Sequence, residues 1–393
     1  MRRWTIPVVL LAVAGCTSSP GTTVPAATAK AVGGPSARRL ARGHWSRMPV
    51  VPIRLCNPQA IWDGRDLVLI EPGYPPCRPA AAAYDPKTNT WTVIAAPPRA
   101  VGAVPLGAFG GGRLVLVSPI TGATYIWNAA TGLWRRVDSL PLKDAASVSW
   151  TGSYFLVITT RRTGVNGGAT RTFALRGERW TALPSLPEPR RGWVATAVTA
   201  AYRGGTYALM DTEVAHTNPN DFYNLESVGL RRLTAAGWRA VPLLAGTPVT
   251  QLMLTEVSGA ILVAGSSCPG VCTLEAGAAA LLRPGAHPAV IALHPAPGVP
   301  YPSDVAAGAR AVVVSYPSGS LGRPMAPGSG PAPGLTMIYD IGASRWLKGP
   351  TLPSADLLAW SAYWTPSGVI SIGASEPGMG GRGTRAWILR PGR

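Results

Sequence analysis

The chain is short of acid: 36 Lys and Arg stand against 18 Asp and Glu, and charged residues make up only 14% of its 393 residues. Histidine and cysteine are scarce too, with four and five copies. That scarcity argues against a dense metal centre, and the four cysteines at 56, 77, 268 and 272 form no Cys-x-x-Cys pair and match no zinc spacing. Long apolar runs are missing as well. The run from Ile6 to Ala14 is about half of the roughly 20 residues that span a bilayer, which argues against a permanent transmembrane helix. No Gly-x-Ser-x-Gly stands in a strand-to-helix context. A Ser nucleophile stays open, because triads are defined by geometry rather than by spacing.

What is present begins with an export signal. Arg2 and Arg3 precede the apolar run, which ends in Val13-Ala14-Gly15-Cys16. This tetrapeptide resembles the lipobox of bacterial lipoproteins, and the resemblance implies that residues 1–15 are removed and that the Cys16 thiol carries a diacylglycerol. An ordinary secretory signal with a cysteine in its cleavage region is the alternative. Residues 16–43 follow as a Thr-, Ser-, Pro-, Ala- and Gly-rich stretch, expected to be a disordered linker. Such a chain spans roughly 25 to 30 Å, enough to hold a domain off lipid headgroups. The expected address is the outer face of the bacterial cytoplasmic membrane.

Residues 44–393 carry an internal repeat. Trp91, Trp134, Trp180, Trp238 and Trp346 each lie near the end of a β-like segment with a proline within eight residues, and in four copies another aromatic precedes by seven (Tyr84, Trp127, Phe173, Tyr339). A second repeat places turn formers between apolar runs, as in Trp62-Asp63-Gly64 before Leu67 to Ile70 and Trp150-Thr151-Gly152 before Phe155 to Ile158. There are seven such hairpin signals. Successive tryptophans from Trp45 are 46, 43, 46, 58 and 108 residues apart, and the last gap leaves room for a unit that lacks its Trp. Units of four antiparallel strands at this period predict an all-β, seven-bladed β-propeller. A β-sandwich would not require the same aromatic offset in unit after unit. The seventh unit has only three strands at the C-terminal end, while His44-Trp45-Ser46-Arg47 looks like an orphan outer strand. Pairing the two is expected to close the ring and remove its open edges.

Tyr84-Asp85-Pro86-Lys87-Thr88-Asn89-Thr90-Trp91 and Tyr339-Asp340-Ile341-Gly342-Ala343-Ser344-Arg345-Trp346 resemble the Tyr-Asp-Pro-x-Thr-x-x-Trp segment of Kelch repeats, and Leu183-Pro184, Leu186-Pro187 and Leu352-Pro353 resemble the stretch that follows it. The usual Gly-Gly doublet after the second strand is replaced by single glycines, Gly265 and Gly373. Some Kelch propellers resemble copper radical oxidases, a chemistry that needs a Cys-linked Tyr and two His at the channel mouth. Here His44 and His287 fall away from the axis and only His294 approaches the mouth, so no copper site is expected. A sialidase-type propeller would show Ser-x-Asp-x-Gly-x-x-Trp boxes, and the nearest copy, Thr131-Gly132-Leu133-Trp134, lacks the Asp.

Export makes disulfides plausible, and blade topology brings together Cys56 with Cys77 and Cys268 with Cys272. The formal charge of +18 suits an anionic lipid, wall polymer or acidic partner, although a GC-rich coding bias accounts for an Arg excess equally well. Nucleic acid is not an expected partner, because the cations are scattered and the protein is exported. Loops after second strands and between blades share one face, which is the expected working surface. Its candidate binding residues are Arg161, Arg162, Arg190, Arg191, His216, Asp221, Tyr301 and Asp304. The 211–221 segment offers carboxylate and amide oxygens to a cation, yet Asp, Asn and Pro are also turn formers and the spacing is not that of an EF-hand. We expect no cofactor and a monomeric, lipid-anchored binding scaffold for an envelope protein, glycan or anionic wall polymer. An exported hydrolase, lyase or oxidoreductase using the channel mouth is the alternative.

Overall fold

The computed structural model describes residues 34–56, 58–73, 77–102, 104–160, 170–187, 193–202, 205–214, 224–241, 250–257, 260–266, 277–282, 289–292, 304–316, 334–352, 358–374 and 384–393. The described residues open with a one-turn helix α1 (Ala37–Ala41) and strand β1 (His44–Arg47). The first blade holds β2 (Gln59–Trp62), β3 (Leu67–Glu71), β4 (Ala80–Asp85) and β5 (Thr90–Ile94). The second holds β6 (Leu106–Gly110), β7 (Arg113–Val117), β8 (Thr124–Asn128) and β9 (Leu133–Arg136). The third holds β10 (Ala145–Trp150), β11 (Phe155–Thr160), β12 (Thr170–Arg176) and β13 (Arg179–Leu183). The fourth holds β14 (Trp193–Tyr202), β15 (Gly205–Val214), β16 (Asn224–Thr234) and β17 (Gly237–Val241). The fifth holds β18 (Thr250–Val257), β19 (Ala260–Ser266), β20 (Gly277–Leu282) and β21 (Ala289–Ala292). The sixth holds β22 (Asp304–Ala307), β23 (Ala311–Tyr316), β24 (Leu335–Asp340) and β25 (Arg345–Lys348), and the chain ends with β26 (Leu358–Thr365), β27 (Gly368–Ala374) and β28 (Thr384–Arg390). Each group forms a four-stranded antiparallel sheet in chain order, and β1 completes the last in the order β1-β28-β27-β26. The architecture is an all-β propeller.

Burial explains the composition of each strand. Second strands lie in the middle of a blade with sheets on both sides, so β3 and β7 read as unbroken apolar runs and Leu67, Leu69, Leu114 and Leu116 have no exposed surface. Fourth strands lie at the outside and are largely exposed, as in Thr90-Trp91-Thr92-Val93-Ile94, where only Trp91 and Ile94 are half-buried. Between blades the apolar faces interlock. One core joins Ile61 and Ile70 of the first blade to Leu114, Leu116 and Trp127 of the second, and another joins Trp62 and Tyr84 to Tyr363 and Ile388 of the last. The Tyr363 hydroxyl also donates to the Ala60 carbonyl at 2.9 Å, which ties the last inner strand to the first.

Turn chemistry sets the register. Gly111 and Gly112 both have positive φ, as the two-residue turn between β6 and β7 requires. In the outer hairpins an Asp or Asn carboxamide or carboxylate oxygen caps the turn: Asp85 accepts from the Lys87 N–H, Asn128 from Ala130, and Asp340 from Gly342 and Ala343. The left-handed residue before the last strand is Asn89, Gly132 or Ser344. These four-residue turns set Tyr84 opposite Trp91, Trp127 opposite Trp134 and Tyr339 opposite Trp346. The offset of seven has another meaning in the third blade. There Gly177-Glu178 makes a turn two residues shorter, so Trp180 faces Leu175 and Phe173 faces Ala182.

The repeated tryptophans tie blade to blade. The indole N–H of Trp91 donates to the Pro49 carbonyl at 3.0 Å, Trp134 to Ala95 at 2.9 Å, Trp180 to Asp138 at 3.0 Å and Trp238 to Pro184 at 2.9 Å. Trp45 reaches the Pro350 carbonyl at 3.2 Å and the Thr336 hydroxyl at 3.1 Å. In all five cases the accepting carbonyl lies four residues beyond the corresponding Trp of the preceding blade. Where the aromatic at the end of an inner strand crosses the previous blade it needs room, and the Trp150 ring lies against Gly110 where any Cβ would overlap it.

The N-terminal seam follows the expected pairing, with Trp45 opposite Leu389 and Arg47 opposite Trp387. Residues 34–43 depart from the expected disordered linker. Ser36 caps α1 by accepting from the Arg39 N–H, Ala37 and Leu40 are buried against Ala306, Ile338 and Leu352, and the Gly392 N–H donates to the Arg39 carbonyl. Two small apolar side chains within a polar, Ala-rich stretch suffice to dock one helical turn, and composition averaged over the stretch conceals them. Residues 16–33, with Cys16, lie outside the described residues.

Replacing Trp45 by Phe keeps the ring but removes both hydrogen bonds of a buried donor. We expect a loss of about 1 to 3 kcal/mol in stability, read as a lower midpoint in equilibrium denaturation.

Candidate functional site at the loop end

Antiparallel strands sort the connections by end. Links between first and second strands and between third and fourth strands share one end of the ring, and apart from the six residues between β20 and β21 each holds two to four residues. Links between second and third strands, together with the passages between blades, share the other. The second group runs from six residues, 118–123 between β7 and β8, to eighteen, 317–334 between β23 and β24.

In the first blade this end is built around Glu71, the last residue of β3, which is fully buried. Its Oε2 accepts from the Cys56 N–H at 2.7 Å and its Oε1 from the Gly73 N–H at 3.0 Å. Both carboxylate oxygens are thereby engaged by the backbone, the arrangement that offsets the desolvation of a buried charge. A disulfide between Cys56 and Cys77, with Cα atoms 5.9 Å apart, fastens the entry to the blade onto the loop after its second strand. This is the expected pairing. The signal for Glu71 in the sequence is a carboxylate closing a four-residue apolar run, a feature the repeat analysis passes over.

The second and third blades are tied at this end by main chain. The Asp144 N–H donates to the Pro119 carbonyl at 2.7 Å, the Thr160 N–H to the Asp144 carbonyl at 3.0 Å, and the Leu140 N–H to the Gly122 carbonyl at 2.8 Å. Asp144 takes the left-handed conformation, with φ of 62°. Toward the tight-turn end, the Ser149 and Thr199 hydroxyls hydrogen-bond between the inner strands β10 and β14 of the third and fourth blades. The loop end of these blades is a platform held by its own backbone.

Of the candidate binding residues, Asp304 begins β22 with its backbone opposite Ser315, which sets it at the loop end. Arg161, Arg162, Arg190, Arg191, His216, Asp221 and Tyr301 lie outside the described residues, as do Cys268 and Cys272, His287 and His294. His44 is exposed on β1, the outermost strand of its blade. Among the described residues no group of three or more His, Cys, Asp and Glu is arranged to hold a metal ion.

The perturbed ionisations belong to the opposite, tight-turn end. Burial raises the Asp66 carboxyl above its usual range, the Asp63 and Asp85 carboxylates add to the rise, and Arg65, 3.5 Å away, counters it in part. Burial also raises the Tyr84 phenol, with the Arg390 guanidinium pulling it back, while its hydroxyl donates to Asn89 Oδ1 at 2.7 Å.

No family model and no curated protein matches the chain. Solved structures do. Streptogramin B lyase is similar over 88% of this chain and 97% of its own, at 9% identity and a TM-score of 0.53. The β-propeller domain of the Trilobed protease from Pyrococcus furiosus is similar over 85% of this chain and 95% of its own, at 11% identity and a TM-score of 0.51. A fungal alcohol oxidase of the AA5 family, in complex with copper, covers 89% of this chain and 76% of its own, at 12% identity and a TM-score of 0.51. Likeness at such identities establishes the propeller fold and leaves activity open.

Two outcomes follow from this geometry. Replacing Cys56 and Cys77 together by Ser is expected to cost about 3 kcal/mol, the restriction of a ring whose ends are 21 residues apart, seen as a lower thermal midpoint that reductant lowers no further through this pair. Because the fold favours protonated Asp66, its stabilising contribution is present below about 3.8 and is lost as pH rises through its elevated folded value. Asp66→Asn should therefore raise the melting temperature at pH 7, with the gain vanishing in melts below pH 3.8.

Proposed function

We propose that this protein is an exported lipoprotein, anchored through Cys16 to the outer face of the bacterial cytoplasmic membrane, whose Kelch-like ring of seven blades acts as a binding scaffold. Its loop end takes an envelope protein, a glycan or an anionic wall polymer, with Arg161, Arg162, Arg190, Arg191, His216, Asp221, Tyr301 and Asp304 as candidate contacts. One observation carries this reading. The connections of seven residues and more all gather at a single end of the ring, while those of the other end hold two to four residues apart from the six between β20 and β21, the division expected where a rigid frame presents variable loops. The lipobox-like Val13-Ala14-Gly15-Cys16 supports the anchor.

The anchor and the surface are tested separately. In a bacterial host, the full chain should partition with membranes and take up radiolabelled palmitate, and Cys16→Ala should abolish the label. Photo-crosslinking in intact envelopes should give adducts that disappear in the Arg161→Ala, Arg162→Ala, Arg190→Ala, Arg191→Ala variant at unchanged melting temperature. Adducts that persist in that variant would remove these loops from the binding surface.

A further inference from the structure

The outer wall of the ring carries a charge pattern that the loop end does not explain. The seven outermost strands, β1, β5, β9, β13, β17, β21 and β25, hold seven Arg or Lys and not one Asp or Glu. In two adjacent blades the pattern becomes a pair of opposed arginines beside an aromatic ring, the ring lying in the turn before β11 in the third blade and on β15 in the fourth. In the third blade, Arg176 stands directly opposite Arg179, and the Arg176 guanidinium lies 5.0 Å from the centre of the Tyr154 ring. In the fourth, Arg232 stands directly opposite Arg239, and its guanidinium lies 5.8 Å from the centre of the Tyr207 ring. All four arginines are exposed, and among the described residues none has a carboxylate within ion-pair distance. The one carboxylate of the intervening turn, Glu178, is engaged by Arg135 at 2.5 Å.

Like charges placed directly across a ladder destabilise it. Here the conflict occurs twice, in neighbouring blades and with the two pairs displaced by two residues along the strand relative to Trp180 and Trp238, and in each an aromatic face holds one guanidinium in place. Two forked cations side by side match the oxygens of a phosphodiester. We infer that these pairs form a binding track for a polyanion with repeating phosphodiester groups, one anionic group being held at each blade. The wall is convex and successive blades turn away from one another. A flat bilayer meets such a wall along one blade, whereas a flexible polymer follows it across both. This inference rests on the reading of the protein as an exported binding scaffold and moves the anionic-polymer contact from the loop end to the wall.

The test uses the full chain in neutral detergent and a fluorescent synthetic poly(glycerol phosphate), followed by anisotropy. Binding is expected to weaken steadily as salt rises, as counterion release requires. Arg176→Gln with Arg179→Gln, and Arg232→Gln with Arg239→Gln, should each weaken binding about tenfold, the loss expected when a forked guanidinium–phosphate contact of roughly 1.4 kcal/mol is removed, and all four together should abolish it. Arg54→Gln with Arg99→Gln, at the loop end, should leave it unchanged. Arg179→Glu gives a readout that a purely structural role cannot: relief of the like-charge pair should raise the melting temperature at low salt while polymer binding falls. That variant decides the matter if the fourfold one fails to fold.

Undiminished binding by the fourfold variant would overturn the track, as would competition by inorganic phosphate at equal phosphate concentration. Loss of binding through Arg54 and Arg99 alone would leave the scaffold reading standing and remove the wall from it, and absence of polymer binding by the unaltered chain would remove the polyanion from both. Binding to phosphatidylglycerol vesicles that depends on these four arginines, without polymer binding, would assign the wall to a lipid surface instead.

Discussion

One hydrogen bond recurs through the structure, from a tryptophan indole on the outer strand of a blade to a carbonyl just past the outer strand of the blade before it. It is the point where sequence repeat and ring geometry meet. Apolar packing between blades is non-directional and would tolerate some sliding, but an indole N–H directed at a fixed carbonyl sets how far each blade is rotated against its neighbour. The constant four-residue distance from one tryptophan to the acceptor of the next makes each bond a copy of the last. Proline, frequent after these tryptophans, removes a competing N–H donor and ends the strand beyond which the acceptor lies.

With the outer wall fixed in this way, the two ends of the ring have different freedoms. The tight-turn end is given over to register, through glycines, Asn89 and Ser344 of positive φ and acids that cap their own turns. The loop end carries no such demand. In the first blade it is secured by the Cys56–Cys77 link and the buried Glu71, and in the second and third by main-chain bonds with help from the Ser118 and Thr121 hydroxyls. Structural duty at that end thus falls on a few side chains.

Much of the fold was legible because periodic features report periodic structure. The Trp spacing, the turn pairs and the orphan His44-Trp45-Ser46-Arg47 segment each announce a strand or a seam. The Cys56 pairing was legible from topology, since both residues flank the same end of one blade. Other features were hidden for physical reasons. Helix α1 depends on two buried side chains, Ala37 and Leu40, too few to colour the composition of a polar stretch. The facing of Trp180 depends on a turn two residues shorter than its counterparts, and an offset counted in sequence does not register that a hairpin has been trimmed. Glu71 looks like any strand-terminal acid until its two N–H donors, one from fifteen residues away, are seen together. Opposed arginines were invisible for the same reason, because a cross-strand pair exists only once register is set. The candidate site was the least legible, since nothing in a repeat constrains what its loops hold.

The seam between β1 and β28 has a consequence for how the molecule comes into being. The first strand to be made pairs with the last, so nearly the whole chain must be present before the circle can shut. Each blade can gather its own hairpins locally, yet the contacts that join the ends have the greatest separation along the chain and are the slowest to be found. Until then the growing protein is an open arc with two bare edges. The docked turn of α1, whose Arg39 carbonyl accepts from the Gly392 N–H just past β28, adds one more contact between the two ends of the chain.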